Sequence, residues 1–132
     1  MLWVRADGLP VGAVLAPANA AENKLVAKLL ESAPDAELPA WLLADKGFDD
    51  DGLAGRLAKL GVRMLAPHRR NRTKPPRHDG RTAKRLKKRY VVERAFAWLQ
   101  GFRRLTCRYE RWSFIHAGLI ALACLIIIAR TL

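Results

Sequence analysis

Short apolar runs alternate with stretches of helical periodicity through the first 66 residues, and this alternation limits the chain to a layered α/β architecture. Leu2–Ala6 and Val11–Leu15 flank Asp7-Gly8-Leu9-Pro10, a turn signal, and so predict a β-hairpin. A helix is expected from Asn19 or Ala20, because Leu25, Val26, Leu29 and Leu30 recur near helical spacing, with Pro34 as its stop. Trp41–Ala44 is a brief apolar run that stops at Asp45-Lys46-Gly47, the pattern of a buried strand ending in a loop. Asp49 to Asp51 offer an N-cap and first-turn acids to a helix carrying Leu53, Leu57 and Leu60. Gly61 closes that helix, and Val62–Ala66 reads as another buried strand. Strands and helices in this order predict a partly parallel sheet flanked by helices.

The second half changes character. Pro67 to Thr82 is rich in Pro, Arg, Lys and His and has too little apolar surface to pack tightly, so a mobile basic loop is expected. A long helix is predicted from Ala83 to about Arg104, and a final one from Trp112 to Ala129. Phe114–Ala129 is almost wholly apolar apart from His116, yet shorter than the roughly 20 residues that cross a bilayer. It therefore predicts a buried core helix, with His116 a core or helix-end residue rather than a ligand. The organisation is a sheet-and-helix part (1–66), a basic loop (67–83) and C-terminal helices (84–132).

Charge divides the chain at the same place. Residues 1–62 hold 6 Lys/Arg against 9 Asp/Glu, whereas residues 63–111 hold 17 against 3. A block this basic argues for a polyanionic partner, nucleic acid ahead of membrane phosphate. Cys107 and Cys124 fit no metal-ligand spacing, which points to a reduced cytoplasmic setting rather than a disulfide framework. The opening residues are no signal peptide, since the apolar run is short and Asp7 follows at once.

Two carboxylates stand where chemistry is placed. Asp45 follows an apolar strand, and α/β folds bind ligands at the carboxyl ends of strands. The plain alternative is a strand-end Asp that caps its own turn. Glu93 is the only acid between Arg81 and Arg108, and Arg89, four residues earlier, shares its helix face. Its plain alternative is a helix salt bridge. Phosphodiester chemistry with two divalent ions needs carboxylates that converge from different elements, and guanidinium groups nearby to hold phosphate.

Three ordered motifs give these acids a context. Leu42-Leu43-Ala44-Asp45-Lys46-Gly47-Phe48-Asp49, then Pro67-His68-Arg69-Arg70-Asn71-Arg72, then Val92-Glu93-Arg94-Ala95-Phe96-Ala97-Trp98-Leu99-Gln100-Gly101-Phe102-Arg103-Arg104 resemble the catalytic region of bacterial insertion-sequence transposases with an Asp-Asp-Glu triad. The similarity covers nearly the whole chain, from the hairpin to Arg108-Tyr109-Glu110. It implies a ribonuclease-H-like mixed sheet and DNA cleavage and strand transfer with Mg²⁺ or Mn²⁺. The partners it implies are double-stranded DNA, as the element's terminal repeats and its target, in the nucleoid. Asp45 matches the second catalytic Asp, Glu93 the catalytic Glu, and Arg89 the arginine four residues before it. Two positions differ: Leu86 stands where the family has tyrosine, and Gln100 where it has lysine.

The resemblance also implies an absence. The family's first Asp lies on a strand ahead of the hairpin, in the middle of the sheet between the strands near Leu2–Ala6 and Asp45. Asp7 is explained by its turn alone, so the chain is expected to lack the first strand and to be inactive by itself. It would self-associate or take the upstream reading-frame product as partner. Arg69, Arg70, Arg72, Lys74, Arg77, Lys84, Arg85, Lys87, Lys88, Arg89, Gln100, Arg103 and Arg104 are the expected DNA contacts. The rival readings are a non-catalytic basic DNA-binding module and a protein of the membrane surface.

Overall fold

The computed structural model describes residues 1–31 and 38–131. Strands β1 (Leu2–Val4) and β2 (Pro10–Ala13) form the expected hairpin, antiparallel, with Trp3 opposite Gly12 and an irregularity between Trp3 and Val4. Gly8 sits at φ +102°, a backbone region costly for any residue with a Cβ, and Asp7 Oδ1 accepts the Leu9 N–H at 3.0 Å. Asp7 also pairs with Arg5 at 3.1 Å. It is thus occupied by the turn, as its sequence context suggested.

Helix α1 (Glu22–Glu31) follows, starting slightly later than expected; Pro34, its predicted stop, lies outside the described residues. Strand β3 (Trp41–Leu43) pairs in parallel with β4 (Arg63–Leu65), and α2 (Asp51–Lys59) connects them. Asp50 caps α2 by accepting the Leu53 N–H at 3.0 Å, and Gly61, at φ +77°, ends it. Trp3, Val26, Leu29, Leu30, Leu53, Leu57 and Val62 form the main core. Leu53 is only 2% exposed at its centre. Leu53→Ala is expected to cost about 2–5 kcal/mol, read as a shifted midpoint in urea unfolding.

The strands do not join into one sheet. They remain two separate pairs, β1-β2 and β3-β4. Between them lies a cleft of about 1030 Å³, lined by Leu2, Trp3 and Val4 from one pair and Trp41, Leu42 and Leu43 from the other. Val26 and Leu29 of α1 also line it.

Three expectations for the second half need correction. The 67–79 stretch has no regular structure, but it is not a loose loop, because ion pairs fasten it to the N-terminal end of α2. The long helix from Ala83 to Arg104 is broken. It begins as α3 (Gly80–Ala83), tightens to a 3-10 helix over Lys84–Arg89, continues as α4 (Tyr90–Gln100), and stops before α5 (Arg103–Thr106). Five cations within Lys84–Arg89 repel at helical spacing, which disfavours a regular turn there. Gly101 then weakens the far end, and Phe102 adopts an extended conformation.

Helix α6 (Ser113–Ala129) forms where predicted, but not as a core helix. It packs on β2, α4 and α5, elements too few to surround it. Only Ala123 and Ile127 are buried, whereas Phe114, Leu122 and Leu125 are more than half exposed. No described helix is long and apolar enough to cross a membrane.

Candidate active site

Asp45 follows β3 at the carboxyl end of the parallel pair, where Ala44 N–H still reaches Leu65 O at 2.9 Å. The chain then turns through a 3-10 turn over Lys46–Phe48, which Asp45 caps by accepting the Lys46 N–H at 2.6 Å. The carboxylate remains 65% exposed and pairs with the Arg89 guanidinium at 3.1 Å. Capping and exposure therefore coexist in one residue, because only one carboxylate oxygen is used by the turn.

Glu93 is exposed in the first turn of α4, and its carboxylate makes no hydrogen bond or ion pair with any described residue. The Arg89–Glu93 salt bridge, the plain alternative for Glu93, is absent, and Arg89 reaches Asp45 instead. The cause is local: Arg89 belongs to the 3-10 stretch, where each residue turns further about the axis than in an α-helix. Asp45, Arg89 and Glu93 all line the cleft between the two sheets. Among the described residues no group of three or more His, Cys, Asp or Glu side chains could hold a metal ion.

Beside this pair lies a cluster that the sequence reading used only as a helix cap. The Asp49 side chain is 2% exposed and meets Arg72 at 2.8 Å, Arg77 at 2.6 Å and His68 Nδ1 at 3.3 Å. Its other oxygen accepts the Arg69 N–H at 2.8 Å. Asp51 accepts from the second arm of Arg72 at 2.8 Å and lies 3.2 Å from Arg77 Nε, an ion pair without a hydrogen bond, with Lys74 at 3.3 Å. His68 Nε2 accepts the Arg77 N–H, which leaves Nδ1 to donate to Asp49 in a neutral ring. The ring stacks on His78 with centroids 4.3 Å apart.

Burial pushes the Asp49 carboxyl up, but the Arg69 N–H, His68 and the two guanidinium groups outweigh it and bring the pKa to about 2. Since the folded value lies below the usual one, Asp49 supports the fold above pH ~4, and that support fades as pH falls toward about 2. The sequence did carry a signal for this cluster. Three consecutive acids exceed what one helix cap needs, and five cations follow at residues 69–77.

The expected DNA-contacting residues divide into two groups. Arg72 and Arg77 are turned inward, with Arg72 only 11% exposed, and Arg69, though exposed, is engaged by the Lys46 and Gly47 carbonyls. Lys74 is paired but 69% exposed. Arg70, Lys84, Lys87, Lys88, Gln100 and Arg103 lie exposed. Arg104 is exposed while pairing with Glu110 at 3.1 Å. Arg85 lies 4.7 Å over the Trp41 ring, which also receives Arg63 at 5.5 Å, a stacking that sequence reading missed. His116 sits near the start of α6, its Nδ1 3.8 Å from Glu110 Oε2.

An acid at a strand's carboxyl end and a second acid from a later helix thus line one cleft, an arrangement compatible with metal-assisted phosphodiester chemistry. Residues 2–128 match the transposase DDE domain family, and the chain belongs to that family. It is 31% identical over 135 residues to a Burkholderia cepacia protein named as a transposase for insertion sequence element IS402, covering 96% of this chain. The chain spans 60% of that relative's length. No solved structure matches significantly.

Proposed function

We propose that this chain is the C-terminal part of a transposase catalytic domain that cleaves and joins DNA strands at insertion-sequence ends. The observation that carries the reading is the meeting of Asp45 and Glu93, from different elements, on one cleft between two unjoined strand pairs. As metal ligands they are the right chemical type, exposed carboxylate oxygens, but an incomplete set. Asp45 and Glu93 would hold Mg²⁺ or Mn²⁺ together with a third carboxylate from an upstream segment. Bound there, the ions would supply the charge stabilisation that phosphodiester cleavage and strand transfer require.

The cleft fits that missing contribution. Among the described residues β1 and β3 are each paired on one side only, and both line it. A strand entering between them would satisfy two rows of backbone groups and complete a ribonuclease-H-like mixed sheet. It would also bring its own acid beside Asp45. Exposed cations on Lys84–Lys88 and at Arg70 and Arg103 would hold the sugar-phosphate backbone of duplex DNA, with Gln100 donating a hydrogen bond. The reaction belongs in the cytoplasm, at the nucleoid.

Supplying the upstream segment, in trans or fused, tests this reading. The expected result is Mg²⁺-dependent nicking of supercoiled plasmid by the combination and none by the 132-residue chain alone. Duplex binding without nicking by the combination would favour a non-catalytic DNA-binding module. Robust nicking by the chain alone would make Asp7 the next candidate for the third ligand.

A further inference from the structure

We propose that Asp49 is a positioning residue, which locks the 68–77 segment onto the Asp45 turn and withholds Arg72 and Arg77 from DNA. The connection can be traced bond by bond. Asp49 Oδ2 holds the Arg69 backbone N–H, and the Arg69 guanidinium donates to Gly47 O at 2.6 Å and Lys46 O at 3.4 Å. Those carbonyls belong to the turn immediately after Asp45. A guanidinium that bridges them resists any rotation of the turn, and with it any drift of the Asp45 carboxylate.

The other Asp49 oxygen gathers the loop. Arg72 spans Asp49 and Asp51, and its Nε–H also reaches the Lys74 and Pro75 carbonyls at 3.2 Å each. Arg77 spans the same two acids and donates to Asp50 O at 3.0 Å. Hydrogen bonds to charged groups in a site this buried are among the stronger ones, and phosphate would have to break several at once. These two arginines therefore serve the architecture, and Arg70 with the Lys84–Lys88 row serves the polyanion. Sequence charge alone gives the opposite assignment.

Salt dependence of duplex binding separates the two roles, since each lost phosphate contact removes about 0.9 from the slope of log affinity against log salt. In the 132-residue chain, Arg72→Gln with Arg77→Gln is expected to leave the slope unchanged. Arg70→Gln with Lys87→Gln and Lys88→Gln should reduce it by about 2–3. Asp49→Asn keeps an acceptor for Arg69 but removes the buried charge that both guanidinium groups share, leaving them to the more exposed Asp51, so it should steepen the slope by about 1–2 with the helical circular dichroism unchanged.

Taking Asp45 as catalytic, the same Asp49→Asn change should lower the nicking rate of the complemented enzyme even as duplex affinity rises, and Asp49→Glu should recover part of the rate. A merely structural aspartate would lose rate and affinity together. A slope reduced by about 2 in the Arg72/Arg77 variant, or unchanged in folded Asp49→Asn, would overturn the proposal. Should the glutamine pair fail to fold, Asp49→Asn decides alone. If no form nicks DNA, the transposase reading fails while the slopes still judge Asp49.

Discussion

Alanine at Asp45 or Glu93 is expected to reduce metal-dependent nicking by the complemented enzyme on the order of 10⁴-fold, the scale of removing one member of a catalytic set that acts as a unit. Glu93 is the cleaner test. It is exposed and its carboxylate makes no ion pair or hydrogen bond with a described residue, so its removal should change stability by less than about 0.5 kcal/mol. A large rate loss without a stability change has no structural explanation. Asp45 is less clean, because alanine also removes the cap on the Lys46 N–H and the partner of Arg89. That ion pair is exposed enough to be worth only about 0.2–1 kcal/mol. Asp45→Asn, which retains an oxygen for the cap, should be as inactive as Asp45→Ala and closer to native stability. Nicking that survives Glu93→Ala would remove Glu93 from the site.

Local pattern made the individual elements legible, and long-range pairing was what it concealed. The apolar run at Trp41–Ala44, the cap at Asp50 and the stop at Gly61 are short-range signals, and each element formed close to its expected bounds. Whether β1 joins β3 depends on what lies between them, and a strand's own residues do not encode that. Helix α6 shows the same limit. An apolar composition predicts burial, yet burial requires partners, and β2, α4 and α5 cover only part of it. Within the site, Asp45 and Glu93 were readable as isolated acids of the right kind. The pairing of Asp49 with Arg72 and Arg77, 23 and 28 residues away, was not, because charge counted along a chain treats every cation as free.

That difference has a large measurable consequence for DNA binding. Phosphate neutralisation releases counterions, so log affinity falls with log salt at about 0.9 per phosphate contacted. Were all 17 cations of residues 63–111 to meet phosphate, a rise from about 50 to 200 mM salt would cost on the order of 10⁹-fold in affinity. The structure argues for far fewer. Arg72 and Arg77 are turned inward, Arg69 is engaged by the Gly47 carbonyl, Arg89 is paired with Asp45, Arg94 donates to Asp7 O at 2.9 Å, and Arg63 and Arg85 stack on Trp41. Arg70, Arg81, Lys84, Lys87, Lys88, Arg103 and Arg111 remain exposed, with Lys74, Arg104 and Arg108 held only by surface contacts. About ten contacts give a slope near −9, and a loss on the order of 10⁵-fold over the same range. Gel shifts or anisotropy with random-sequence duplexes should return that slope, equal for unrelated sequences because phosphate contacts do not read bases. A slope near −15 would mean that the inward arginines turn out to DNA, and affinity indifferent to salt would mean that the basic half does not bind phosphate at all.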